Sequence, residues 1–262
     1  MNISDKNLDD LLSLTKEASD AIMEIYNSNT AVVEYKSDNS PLTQADKASH
    51  EIIVEGLRKL FPNIPVVSEE GSPEENRALV KSPRFWLVDP IDGTQDFINR
   101  TGDFCIAVGL VENNKPSFGF VVAPTYNTVY YGGKKTGSFK KVGDEEPQRI
   151  QVKELGKHIV AISRTHVIET TEQYINEHYP EAERRKLGSM LKQVKLADGE
   201  VDVYPAINQP LHLWDAAAGN AIIEGAGGFM TTPDGQPLDY SRQNLKIGDF
   251  IARATEELWN FI

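Results

Sequence analysis

Apolar residues recur at three- and four-residue steps near the start of the chain: Leu8, Leu11, Leu12, Ala18, Ile22 and Ile25, with Thr15 in register. This period predicts an amphipathic helix, with Ser4 or Asp5 placed to cap it. A second helix is predicted from Thr43 to Leu60. Its opening, Thr43-Gln44-Ala45-Asp46, has capping-box spacing, and Ile52, Ile53 and Leu57 form its buried face. Pro62 and Pro65 punctuate its end. The period then changes. Ile64-Val67, Phe85-Val88, Cys105-Val111, Phe118-Val122 and Thr128-Tyr131 are short β-rich runs separated by Gly, Pro and Asn. The runs 105–111 and 118–122, joined by Glu112-Asn113-Asn114-Lys115-Pro116, read as a hairpin. Gly143-Asp144-Glu145-Glu146-Pro147 reads as a lobe boundary, dividing an N-terminal lobe (1–145) from a C-terminal lobe (146–262). Beyond it, His158-Ser163 and Val201-Tyr204 read as strands. Glu169-Glu177, Ser189-Ala197 and Asp215-Glu224 read as helices, the last stopped by Gly225, Gly227 and Gly228. The mixture predicts an α+β fold with helices on mainly antiparallel sheets.

Composition narrows the function more than the fold. The 262 residues carry a formal net charge of -12, which argues against nucleic-acid polymers and anionic membrane surfaces as partners. A small anionic substrate requires something local to reverse that field, and bound divalent cations can do so. The single cysteine, Cys105, excludes an intramolecular disulfide and suits a reducing compartment. It lies in the apolar run Phe104-Cys105-Ile106-Ala107-Val108 and reads as a small buried hydrophobe rather than a nucleophile. The first residues lack a basic segment followed by an apolar one, and no apolar run approaches the ~20 residues of a membrane-spanning helix. The expected setting is soluble and cytoplasmic.

Three segments put carboxylates where a surface charge should not be. Trp86-Leu87-Val88 runs straight into Asp89-Pro90-Ile91-Asp92-Gly93-Thr94. A carboxylate at the end of a buried strand is costly unless it is paired or ligates a metal. Pro90 is expected to turn the chain, bringing Asp89 and Asp92 to one side with the Ile91 carbonyl beside them. Gly93 permits close backbone approach, and Thr94 is placed to cap a following helix whose N–H groups suit a phosphate oxygen. An Asx turn with a helix cap is the plainer alternative, but two Asp residues framing Pro-Ile before Gly-Thr favour metal binding. Val66-Val67-Ser68-Glu69-Glu70-Gly71 likewise ends a buried strand in two carboxylates. Asp215, in Leu213-Trp214-Asp215-Ala216-Ala217-Ala218-Gly219, reads equally well as an N-cap or a ligand. Oxygen ligands of this kind suit Mg²⁺, which two-metal hydrolytic sites hold in pairs about 3.5–4 Å apart.

Together these segments, with Ser40-Pro41-Leu42-Thr43-Gln44-Ala45-Asp46, resemble the inositol monophosphatase-like superfamily of metal-dependent, lithium-sensitive phosphatases. The resemblance covers nearly the whole chain. It implies a layered αβαβα sandwich of the inositol monophosphatase and fructose bisphosphatase-like sugar phosphatase type. Asp96-Phe97 with Gly102-Asp103-Phe104, Ile162-Ser163-Arg164-Thr165-His166 and Pro237-Leu238-Asp239-Tyr240 are most similar to the bacterial 3′(2′),5′-bisphosphate nucleotidase branch of the CysQ type. Carried over residue by residue, the resemblance implies that Glu69, Asp89 and the Ile91 carbonyl hold one Mg²⁺, and Asp89, Asp92 and Asp215 a second. Glu70 and Thr94 would orient or deprotonate the attacking water, and Asp46 would help place it or a third, weaker ion. Gly93 and Thr94 N–H groups would bind the scissile phosphate, and His166, Gly188 and Lys192 would contact the nucleotide. Met190, Thr165 and Gln95 depart from the residues common in relatives. The first two put the exact nucleotide preference in doubt more than the hydrolysis.

The implied activity is Mg²⁺-dependent hydrolysis of the 3′-phosphate of adenosine 3′,5′-bisphosphate, with its 5′-phosphosulfate as a second substrate, in sulfur assimilation and nucleotide recycling. Lys192, Arg164 and His166 would supply positive charge for the second phosphate, although each also reads as an ordinary surface residue. Two rivals stay open: an inositol or sugar phosphatase with the same metal site, and a non-catalytic metal- or phosphate-binding module. The sequence leaves open which of the two nucleotides is the main substrate, the oligomeric state and peripheral association with the inner face of a membrane.

Overall fold

A computed structural model of the chain describes residues 4–28, 33–35, 41–153, 158–165 and 168–256. In chain order these form α1 (Asp5–Ser28), β1 (Val33–Tyr35), β2 (Pro41–Thr43), α2 (Gln44–Leu60), β3 (Val66–Ser68), α3 (Pro73–Leu79), β4 (Arg84–Asp92), α4 (Thr94–Ile98), β5 (Cys105–Glu112), β6 (Lys115–Ala123), β7 (Thr128–Gly133), β8 (Gly137–Val142) and β9 (Gln148–Ile150). Then follow β10 (Ile159–Ser163), α5 (Glu169–His178), β11 (Glu183–Leu187), α6 (Leu191–Ala197), β12 (Val203–Ala206), α7 (Trp214–Gly225), β13 (Phe229–Thr231) and β14 (Phe250–Arg253).

The capping signals work as the sequence predicts. The Asn7 N–H donates to the Ser4 hydroxyl at the start of α1. Thr43 caps α2: its oxygen accepts from the Ala45 and Asp46 N–H groups, while Asp46 reaches back to the Thr43 N–H, closing the box. Strands β3 to β9 form one seven-stranded sheet in chain order, antiparallel except for the β3–β4 pair. Along β4, Trp86 and Val88 face α1 and α2 across one cluster with Ile22, Ile53 and Leu57. Phe85 and Leu87 face the other way, toward Ala217, Ala218 and Ile222 of α7. This period-two alternation is what two helix layers on opposite faces demand. Beyond α6 and α7 lies a five-stranded sheet, ordered β11-β10-β12-β14-β13, and α5 covers its far face through Ile175. The layers run αβαβα, as the resemblance implies.

Small residues set the closeness of the central layers. Gly109 on β5 meets α7 so tightly that a Cβ there would stand 2.8 Å from the Ala217 Cβ. Three readings need correction. The 105–111 and 118–122 hairpin is present, but its strands extend to Glu112 and Lys115, leaving only Asn113 and Asn114 in the turn. Both have positive φ, 50° and 63°, as a two-residue turn matching strand twist requires. Gly143-Asp144-Glu145-Glu146-Pro147, read as a lobe boundary, connects β8 to β9 within the first sheet, so the second sheet begins only at Ile159. That sheet is mixed rather than mainly antiparallel, with β10 parallel to both β11 and β12.

Candidate active site

The site begins with an irregularity in β4. Asp89 pairs with Ala107 and Asp92 with Cys105, so β4 spends three steps where β5 spends two. In a regular strand, residues three apart point to opposite faces. The extra residue of this bulge cancels that alternation and lets both carboxyl groups face one side. Pro90 was expected to turn the chain, yet the strand runs on to Asp92 and the proline sits in the bulge, where its missing N–H is tolerated. The Ser49 hydroxyl donates to the Pro90 carbonyl at 2.8 Å and ties α2 to the bulge.

Asp89, Asp92 and Asp215 each offer a carboxylate oxygen, and these atoms lie within 4.8 Å of one another. Asp89 is buried; Asp92 and Asp215 are half-buried beside the pocket. Asp215 stands in the first turn of α7, not at its cap, which is Leu213, and it accepts the His212 N–H at 2.7 Å. Glu69 follows β3 in a turn closed by the Gly71 N–H on the Ser68 carbonyl, and its own N–H donates to the Val88 carbonyl of β4. Burial raises the Asp89 carboxyl well above its ordinary range, and the charges of Glu69, Asp92 and Asp215 raise it further. Burial likewise raises Asp92 to about 6, opposed by the Lys192 ammonium and the Met190 N–H. Asp215 is raised well above its ordinary range by burial, then by Asp92 and Glu69.

These residues fit a divalent cation. The Asp89 Oδ1 is buried without a hydrogen-bond partner, a costly state unless a cation takes it. The donors are oxygens, which select hard ions such as Mg²⁺ or Ca²⁺. Cys105 borders them, its Sγ 3.9 Å from Asp92 Oδ2, and burial pushes its thiol far up.

Beside the cluster, Thr94 is the first residue of α4, and Gly93, at φ 91°, is its cap. Thr94 was expected to cap the helix but does not, and its hydroxyl hydrogen-bonds sideways instead. Its Oγ1 stands 3.0 Å from Asp46 Oδ1 and 3.1 Å from the Ile91 carbonyl. The one hydroxyl hydrogen is shared between these two acceptors. Asp46 is buried, and burial outweighs the hydrogen bonds from Thr43 to raise its carboxyl.

A cavity of about 340 Å³ opens over this floor, lined by Glu69, Asp92, Gly93, Thr94 and Asp215 on one side and by Thr165, Ser189 and Lys192 on another. The Lys192 ammonium is buried, donates to the Ser189 carbonyl at 2.7 Å, and lies over the Tyr204 ring. Burial lowers its proton affinity, and the charges of Asp92 and Asp96 oppose that effect. Glu70 takes the turn position after Glu69, half-buried and outside the lining. Gly188 also lies outside it. Its N–H donates to Asp103, and a Cβ there would strike Asp103 and Asp96, each at 2.6 Å. Arg164, expected to meet a phosphate, is paired with Asp103 at 2.7 Å. His166 and Ser40 lie outside the described residues.

The sequence assigned no role to three further contributors, although two of them stand in the quoted motifs. Gln193 is buried and donates its Nε2 to the Asp215 carbonyl, which fixes the start of α7. Asp96 and Asp103 are buried carboxylates reached by Thr165 and Arg164 from the second sheet. Each stands next to a phenylalanine in sequence, the one local sign that these acids are not surface charges.

The inositol monophosphatase family model matches residues 6–260, and the chain belongs to that family. Within it, the 3′(2′),5′-bisphosphate nucleotidase CysQ of Escherichia coli K12 is 38% identical over 236 residues, covering 89% of this chain and 94% of that protein. The protein of the same name from Haemophilus influenzae is 31% identical, covering 100% of this chain and 97% of its own. The crystal structure of CysQ from Bacteroides thetaiotaomicron superimposes with a TM-score of 0.80 at 32% identity, covering 95% of this chain and 97% of that one. The resemblance drawn from the four sequence motifs is borne out. Among the described residues, no helix is long and apolar enough to cross a membrane.

Proposed function

We propose that the chain is a Mg²⁺-dependent phosphatase that hydrolyses the 3′-phosphate of adenosine 3′,5′-bisphosphate to AMP and phosphate, and acts likewise on its 5′-phosphosulfate, in sulfur assimilation and nucleotide recycling. The observation that carries it is the cluster of Asp89, Asp92 and Asp215 beneath a pocket that also holds the buried Lys192. The names of the relatives support the nucleotide over an inositol or sugar phosphate.

Glu69, Asp89 and the Ile91 carbonyl would hold one Mg²⁺, and Asp89, Asp92 and Asp215 a second. When bound, these ions neutralise phosphate oxygens, lower the pKa of a coordinated water and stabilise the leaving alkoxide. The chain's own residues supply orientation. With its hydrogen shared by Asp46 and the Ile91 carbonyl, the Thr94 oxygen is left as an acceptor, the polarity needed to orient a water. Glu70 would assist in taking its proton. Gly93 and Thr94 would hold the scissile phosphate, and Lys192, Gly188 and His166 the nucleotide side. The seven-stranded sheet with its turns, which carries most of these ligands, and the C-terminal part of the chain, which carries Asp215, would act as one catalytic unit.

Phosphate release is measured side by side from adenosine 3′,5′-bisphosphate and inositol 1-phosphate, with Mg²⁺, with EDTA and with added Li⁺. Release from the nucleotide that needs Mg²⁺ and is blocked by Li⁺ is the expected result. Release only from the inositol ester keeps the metal site and overturns the substrate. Release from neither overturns the activity.

A further inference from the structure

Gly102-Asp103-Phe104 has no part in the chemistry above, yet Asp103 is one of the most enclosed acids in the chain, at 1% exposure. It precedes β5 and belongs to the first sheet. Its Oδ1 accepts the Tyr126 hydroxyl at 2.6 Å, from the turn after β6. Its Oδ2 accepts Arg164 Nε at 2.7 Å and the Gly188 N–H at 2.9 Å. Those two donors come from the second sheet, just past the ends of β10 and β11. Arg164 is also tied to this edge by its Nη2 on the Lys186 carbonyl and its N–H on the Leu187 carbonyl. One carboxylate thus gathers three donors from three separate chain segments.

We infer that Asp103 is a positioning residue for the nucleotide: it clamps the Ser163–Thr165 and Gly188–Lys192 segments of the second sheet against the Gly93 turn of the first, and so sets the gap that receives the substrate beyond its scissile phosphate. The clamp rests on the nucleotide reading given above. Its contacts are close on every side. A Cβ on Gly93 would stand 3.0 Å from the Asp103 carbonyl and 3.1 Å from the Ser189 Cβ. Ser189 itself has φ 47°, a conformation disfavoured for a serine, and Lys192 hangs from its carbonyl. The Gly188 N–H that Asp103 holds belongs to the residue immediately before this strained one. Burial alone would raise the Asp103 carboxyl, but Tyr126, Arg164 and the Gly188 N–H outweigh it and hold the group below the ordinary carboxylate range. The clamp is therefore charged under ordinary conditions. Hydrogen bonds to a charged group are the strong kind, suited to holding two sheets in register.

The test uses the full-length Mg²⁺-loaded protein, with Asp103→Asn and Arg164→Met as separate variants and together. In Asp103→Asn, KM for adenosine 3′,5′-bisphosphate should rise by about tenfold or more, because a misplaced wall costs binding geometry. The metal floor is untouched, so kcat should stay within about threefold. Arg164→Met, at a side chain 38% exposed, should raise KM less, and the double variant should be no worse than Asp103→Asn alone. Amide hydrogen exchange should quicken at residues 163–165 and 188–192 and stay unchanged at 85–94. Unchanged KM and unchanged exchange in both variants would overturn the clamp. So would a loss confined to kcat, which would place Asp103 with the reacting atoms. If Asp103→Asn does not fold, Arg164→Met decides by the same criteria. If the parent protein turns over no nucleotide bisphosphate, the nucleotide reading fails, and the exchange pattern alone judges the clamp.

Discussion

The floor of the pocket and its far wall are built from opposite materials. On the floor, Asp89, Asp92 and Asp215 crowd their charges together, and burial raises all three, with repulsion from neighbouring carboxylates adding to it. The wall around Ser189 and Lys192 is held by ordinary donor–acceptor contacts: Arg164 on Asp103, Lys192 on the Ser189 carbonyl, Thr165 on Asp96. A frustrated cluster needs a cation to settle it, whereas a satisfied one needs only its own chain. On the proposed function, the chemistry would belong to the floor and the choice of substrate to the wall.

If that division holds, damage to the floor should remove turnover on any substrate. Asp92→Asn keeps the shape and the Met190 N–H contact but removes a ligand charge. Turnover with Mg²⁺ should fall by roughly a thousandfold while circular dichroism remains that of the parent. Near-full activity in this variant would break the comparison at its strongest point.

Thr94→Val comes next. It preserves shape but removes the hydroxyl between Asp46 and the Ile91 carbonyl. We expect kcat to fall by about a hundredfold, with Mg²⁺ binding measured by calorimetry little changed. Equal loss of Mg²⁺ affinity would move Thr94 from water orientation to holding the ligand carbonyl in place.

Lys192→Met probes the wall. Its ammonium is buried in the pocket beside Asp92, and methionine fills similar space without charge. The expected effect is roughly tenfold in kcat/KM for a nucleotide bisphosphate, carried mainly by KM. A loss as large as that of Asp92→Asn would show that Lys192 serves the floor.

The two regions were unequally legible in the sequence. The floor is readable because its chemistry forces particular residues into short local order: a buried strand, two aspartates around Pro-Ile, then Gly-Thr. The Thr43–Asp46 capping box is local for the same reason. What the local pattern cannot reveal is the bulge, since a turn and a bulge at Pro90 differ only through the pairing with β5. The clamp was invisible for a stronger reason. Asp103 meets partners 23, 61 and 85 residues away, so no window of sequence contains it. β11, Glu183-Arg184-Arg185-Lys186-Leu187, escaped notice because it is a charged edge strand with no apolar alternation. The β8–β9 connection was taken for a boundary because Gly, Pro and acidic residues mark hairpin turns and linkers alike.

The smallest effect concerns stability rather than rate, and it tests whether the floor is frustrated at all. In the metal-free protein Asp92 has its carboxyl at about 6, above the ordinary 3.8, and Asp89 and Asp215 are also raised. A raised carboxyl means that the folded state holds a proton which the unfolded chain has already released. Folding therefore loses stability as pH climbs from about 4 through 6 on account of Asp92, and Asp89 and Asp215 carry the loss on to higher pH. Mg²⁺ binds the deprotonated form, so its stabilisation should grow over the same interval. The melting temperature with and without saturating Mg²⁺, read from pH 5 to 8, should diverge as pH rises, and Asp92→Asn should flatten the metal-free slope. A Mg²⁺ shift that is equal at pH 5 and pH 8 would mean that these carboxyls are already ionised without the metal. The floor would then be as well satisfied as the wall, and the contrast between them would fail.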